Sequence, residues 1–270
     1  MQLIIIALIL ISLIILTLIY NYIFTNKDKF KNQIAYIYYM NKEETNKFLI
    51  NDSDNYVKKM TTLDLYARKV NSGNEYINMV LSITAIFSNK DKNFIYKCCN
   101  NADNFLKTCE LYSNYINYQD LSNIKWIFAL TTNNNTIQYE EGLPHTRNNI
   151  IFLSKNTLKQ SEENLTNTLI HEKIHIYQRQ NKNVFYKLIY DKGFKKIDYH
   201  NKFIRSNPDT NDEIYLDNET KKIMVCLYRN SKPNSINDVI MKNYLMEHPY
   251  EKFAYEIANS YYKDSKYKNI

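Results

Sequence analysis

Within the stretch NTLIHEKIHIYQRQ, residues 167–180, His171 and His175 stand four apart, with Glu172 directly after the first. Positions four apart share one face of an α-helix, so the two imidazoles can converge on one ion. Neutral imidazole nitrogen is a preferred donor to Zn2+ at about 2.0–2.1 Å. Glu172 lies one residue round from His171, beside such an ion and not aimed at it, in position to take a proton from a water. Zinc lowers the pKa of its water toward about 7 and polarises a carbonyl, so the pattern carries the chemistry of peptide-bond hydrolysis with a general base. Five histidines in 270 residues make the pairing informative; the bland alternative is two satisfied histidines on a half-buried helix.

The elements that must position these groups are legible on either side. Ser161 offers an N-cap, Glu162 and Glu163 follow in the first turn, and Leu165, Leu169, Ile170 and Ile174 recur at helical spacing, so the motif is predicted on a helix. Before it, IKWIFALTT (124–132) and RNNIIFLS (147–154) are apolar runs bounded by turn residues, read as two strands. After it, EIYL and KIMVCLY are read as a small hairpin, and HPYEKFAYEIANSYY as a second helix opened by Pro249. Residues from about 33 to 118 carry helix-like apolar spacing. With glycine only at 73, 142 and 193, a glycine-rich phosphate loop is excluded.

Composition adds less, apart from the first residues. The run LIIIALILISLIILTLIYNYIF, residues 3–24, is uncharged and of about the length that crosses a bilayer, without the features of a cleavable signal peptide. It predicts an uncleaved transmembrane anchor and a single-pass membrane localisation. Lys27, Lys29 and Lys31 follow the run and no basic residue precedes it, which places the rest of the chain on the cytoplasmic side. Sequons at Asn51, Asn134, Asn164 and Asn218 are usable only if that domain is lumenal. The net charge of +7 comes from scattered lysines with no basic block, so no nucleic-acid partner is expected. Cys98, Cys99, Cys109 and Cys226 show no metal-ligand spacing.

HEKIH preceded by a strand pair resembles the zincin metallopeptidases, and HPYEKFAYEIA resembles the glutamate helix of their gluzincin branch. With GLPHTRNNIIFL, HIYQR and the apolar N-terminus, the chain is similar to predicted metallopeptidases of large DNA viruses, over about residues 124–262. The resemblance implies His171 and His175 as the first two zinc ligands, Glu172 as the general base and Glu251 as the third ligand. The position of Glu251, two residues after Pro249 in a first helical turn, agrees with that role. Glu256 is the rival and Glu247 a more distant one; His200 and His248 are further alternatives. Tyr255 stands where many gluzincins carry an acidic residue, which removes the usual hydrogen bond to a motif histidine. His145 is a candidate for the cleft wall, or else an ordinary surface-loop histidine, and Tyr215, Tyr250 and Tyr255 are candidate oxyanion donors among 25 tyrosines.

The expectation is therefore an α+β, zincin-like catalytic domain at 119–270, after a helical region at 26–118 and a transmembrane anchor at 1–25. It would act as a membrane-anchored, zinc-dependent endopeptidase, in the host membrane or virion if viral. Its polypeptide substrate would lie along an edge strand near 150–153. The alternative is a catalytically silent membrane-anchored binding or assembly protein that retains the fold. The sequence leaves oligomeric state and cleavage specificity open.

Overall fold

In the computed structural model, the structure describes residues 37–132, 138–240 and 247–263. The two apolar runs before the motif form the centre of the main sheet as strands β3 (Trp126–Thr131) and β5 (Ile150–Ser154), paired in parallel from Phe128↔Ile151 to Thr131↔Ser154. Strand β1 (Ile37–Tyr39) runs parallel to the first half of β3, and β2 (Thr84–Ala85) antiparallel to its end. Strand β4 (His145–Arg147) pairs antiparallel with β5 and closes the order β1-β3-β5-β4.

Both faces of this sheet are covered, which is why its central strands read as unbroken apolar runs. Side chains alternate between the faces. Trp126, Phe128, Leu130, Ile151 and Leu153 pack in one core with helices α4 (Asn89–Thr108), α6 (Glu162–Gln180) and α8 (Pro249–Lys263). Ala129, Ile150 and Phe152 face a second core with Leu49 of α1 (Lys42–Asn51) and Tyr76 and Val80 of α3 (Gly73–Ser82). Two short helices, α2 (Thr62–Ala67) and α5 (Tyr118–Asn123), and α7 (Lys182–Asp191), which follows α6 directly, complete the described α-helices. A second, antiparallel sheet joins β6 (Phe194–Ile197), β7 (Ile214–Asp217) and β8 (Ile223–Met224). The expected hairpin is its β7–β8 half. Residues 37–118, read from sequence as helical, also supply β1 and β2 to the main sheet.

Two expectations are corrected. The fold is a mixed α/β arrangement of helices and two sheets, in place of an α+β domain behind a spanning helix. Among the described residues no helix is long and apolar enough to cross a membrane. The two longest, α4 and α6, have 20 and 19 residues but carry charges along their length, such as Asp91, Lys97 and Asp103 or Glu163, Lys173 and Arg179. The run 3–24 that raised the anchor lies outside the described residues, and the single-pass membrane localisation with its cytoplasmic domain is not carried further.

Candidate metal centre

Helix α6 begins as the sequence dictates. The Ser161 side chain accepts from the Asn164 amide at 3.2 Å, and Glu162 and Glu163 occupy the first turn. Its apolar face, Leu165, Leu169, Ile170 and Ile174, is fully buried against the sheet and α4. Lys173 in the middle of the motif is also buried: its Nζ donates to Asp103 Oδ1 at 2.6 Å and to the Ser122 carbonyl at 2.8 Å, and lies 4.1 Å from the centre of the Trp126 ring. A lysine is tolerated there because it is paired and hydrogen-bonded. This tether fixes the rotation of α6 and leaves His171, Glu172 and His175 to face α8 and the cavity beside β4.

Helix α8 brings Glu251 to meet them. The Nε2 atoms of His171 and His175 are 2.9 Å apart, and Glu251 Oε2 lies 3.3 Å from the first and 3.7 Å from the second. The three residues form a potential metal-binding triad. Their separations bracket the edge of about 3.3 Å expected of a tetrahedron with donors about 2.0 Å from its centre. The donor set, two imidazoles and one carboxylate, also suits zinc. Burial would raise the Glu251 carboxyl, but His175 and His171 beside it hold it well below the ordinary range, so it is an anion. Burial opposes protonation of His175, and the charge of Glu251 outweighs it and raises that pKa.

Side chains outside the triad hold these donors in place. Gln178 Oε1 is 2.8 Å from His175 Nδ1, while its Nε2 donates to the Tyr250 carbonyl at 3.0 Å. Asn207 Nδ2 donates to Glu251 Oε1 at 2.9 Å and to Glu247 Oε1 at 3.1 Å, leaving Glu251 Oε2 for the histidines. Glu247 is itself gripped by Arg205 Nη2 at 2.6 and 2.7 Å. Such outer contacts orient ligands and tune a metal site. His171 is treated differently: its Nδ1 is buried without a hydrogen-bond partner, and the Tyr255 ring packs against it with centres 4.4 Å apart. The position where gluzincins carry an acid thus provides ring packing in this chain.

The rival residues are occupied elsewhere. Glu256 accepts from Lys252 Nζ at 2.5 Å and from Tyr112 Oη. His248 Nε2 lies 2.9 Å from Asn211 Oδ1, its Nδ1 accepts from the Tyr250 amide, and burial pushes its pKa down to about 4. His200 is exposed and pairs with Asp198. Tyr215 donates to Glu213 at 2.5 Å, and the Tyr250 hydroxyl is buried without a partner.

Glu172 sits next to the triad, 3% exposed, with Oε2 unpartnered. Burial, then the charges of Asp209 and Glu251, push its carboxyl well above the ordinary range against the pull of Arg179. It lines a cavity of about 270 Å³ together with His171, Glu251, His145, Tyr255 and Asp209. His145 stacks on Phe152, places Nδ1 3.0 Å from the Leu143 carbonyl and keeps a buried, unpartnered Nε2; burial lowers its pKa. The stretch NPDT (207–210) makes a turn, in which the Asp209 amide donates to Asn207 Oδ1 at 2.8 Å. It also forms one wall of the cavity. The chain significantly matches no family model, no curated protein and no solved structure.

Proposed function

We propose that this protein is a zinc-dependent peptidase with a gluzincin-type ligand set, His171, His175 and Glu251, and Glu172 as its general base. One observation carries the reading: three donors from two helices converge within 4.8 Å, and the unpartnered carboxylate oxygen of Glu172 stands beside them. Zinc held there would supply Lewis acidity, polarising a substrate carbonyl and acidifying a water. The remaining chemistry belongs to the chain. Glu172 takes one proton from the attacking water as its oxygen bonds to the carbonyl carbon, and returns it to the departing nitrogen as the C–N bond breaks, leaving a carboxylic acid, which keeps the second water proton on its new hydroxyl, and an amine. Gln178 and Asn207 hold His175 and Glu251 in ligand geometry before substrate arrives, so that cost is met during folding. An intact, unpartnered Glu172 speaks for an enzyme over a silent binding protein, because a scaffold has no use for a buried carboxyl without partners.

The test is the metal content of the chain purified without chelator, followed by hydrolysis of unfolded polypeptide with and without a zinc chelator. About one zinc per chain and chelator-sensitive cleavage are expected. A well-folded, metal-free chain that also fails to take up added zinc removes the proposal and leaves the binding protein.

A further inference from the structure

Strand β5, along which an extended substrate was expected to lie, is internal: it pairs with β3 on one side and β4 on the other. The free edge next to the triad is β4. With Arg147↔Ile150 flanking a two-residue turn, Thr146↔Ile151 is the pair whose backbone groups point outward. Those groups are already taken. The Thr146 amide donates to Asp209 Oδ1 at 2.6 Å, and the Thr146 carbonyl accepts from Arg179 Nη2 at 2.9 Å. The next outward carbonyl, that of Asn148, accepts from Arg179 Nη1 at 3.3 Å. In the other direction stands Pro144, which has no N–H. An added strand needs both donors and acceptors along the edge, and between 144 and 148 this edge is closed.

The closure also bars the cleft. Residues 207–209 run from the third ligand, where Asn207 touches Glu251, to the far end of α6, where the Pro208 carbonyl accepts from Arg179 Nη2 at 2.6 Å. Asp209 is buried, and its Oδ1 accepts from the Thr146 hydroxyl as well as the amide. The cavity over the triad is lined by Leu143, Pro144, Gln160 and Thr168 near the start of α6, by Pro208 and Asp209 of the loop, and also by Arg205 and Ile236. Its volume of about 270 Å³ is just below the range of about 300–1,000 Å³ usual for small-ligand sites.

We propose that the site accepts the end of a polypeptide chain, or a short peptide, and excludes the interior of an extended chain. The inference rests on the peptidase reading and narrows it. A chain passing through must leave on both sides of the scissile bond, and the 207–209 bar with Arg179 blocks one exit. Only a substrate that stops within the cavity fits.

The experiment follows the first products released by the full-length, zinc-loaded protein from a long unfolded polypeptide, read by mass spectrometry. Short end fragments of about one to three residues should outnumber internal first cuts by at least about tenfold, the scale set by forfeiting one well-made hydrogen-bonded contact. In Asp209→Ala, which frees the Thr146 amide, internal cuts should rise toward parity with end cuts. Fragments split mainly in the interior by the parent protein overturn the end restriction and leave the peptidase reading standing. Parent and Asp209→Ala sharing the same end-restricted pattern overturn the assignment of the wall to this loop. Absence of any cleavage by the zinc-loaded protein sinks both readings.

Discussion

Gln178 Oε1 lies 2.8 Å from His175 Nδ1, one helical turn along α6. The amide's orientation is set from the other side, since Gln178 Nε2 donates to the Tyr250 carbonyl. Oε1 can therefore only accept, so His175 carries a proton on Nδ1, and in the neutral imidazole the lone pair is left on Nε2, facing Glu251 and His171. Gln178→Leu removes the acceptor, so zinc affinity should fall by about 10- to 100-fold, the usual cost of losing such a contact. Competition with a chelator of known affinity measures it. An unchanged affinity would show that the triad does not depend on this tautomer.

Glu172→Gln should retain zinc and lose hydrolysis. The side chain lies next to the triad without belonging to it and its Oε2 has no partner, so the proposed reading gives it the proton and not the metal. Loss of a general base typically costs about 10² to 10⁴ in rate. Zinc content and turnover of an unfolded polypeptide are measured on the same preparation. Cleavage at the parental rate by the zinc-loaded variant rules Glu172 out as the base.

Glu251→Ala should release zinc while Glu256→Ala keeps it. Glu251 Oε2 faces both histidines, whereas Glu256, five residues on, is tied to Lys252 and Tyr112. Two histidines alone are too few for a catalytic zinc site, which ordinarily has three protein ligands. Metal analysis after dialysis decides between them, and equal retention by Glu251→Ala and the parent would move the third ligand elsewhere.

The parts of this site legible in the sequence were those whose cause is local. Ser161, the acids after it and the apolar spacing through Ile174 specify α6, and Pro249 specifies the start of α8, so the two ligand-bearing helices could be placed from a few residues each. Gln178 was readable in principle, three residues after His175 on one helical face. Asn207 and the Arg205–Glu247 pair were not, because they meet α8 across about 40 residues of chain. The parallel β1–β3–β5 pairing is equally non-local, and strands of three and two residues such as β1, β4 and β2 carry too little pattern to be seen. Lys173 is the reverse case: residue type predicts an exposed side chain, and Asp103 and the Ser122 carbonyl make it a buried tether.

The cavity wall also predicts an acid response. Glu140 is buried in a left-handed backbone conformation (φ 45°) and accepts from Arg68 Nε at 3.0 Å and from Tyr76. Burial alone would raise its carboxyl; the Arg68 guanidinium overrides that and holds it at about 2, against 4.5 for an ordinary glutamate. A pKa lowered by folding stabilises the native state above the unfolded value, and that contribution is lost as pH falls. The window therefore runs from about pH 5 down to about pH 2, and the contribution is of the order of 3 kcal/mol. Glu140→Gln should cost about 3 kcal/mol at neutral pH, because Arg68 stays buried without its closest carboxylate. It should also flatten the acid dependence. Urea midpoints of the parent and Glu140→Gln between pH 6 and 3 test this by difference, so that other titrating carboxylates cancel. The two curves should converge toward low pH; curves that stay parallel would mean that Glu140 is not held ionised by Arg68.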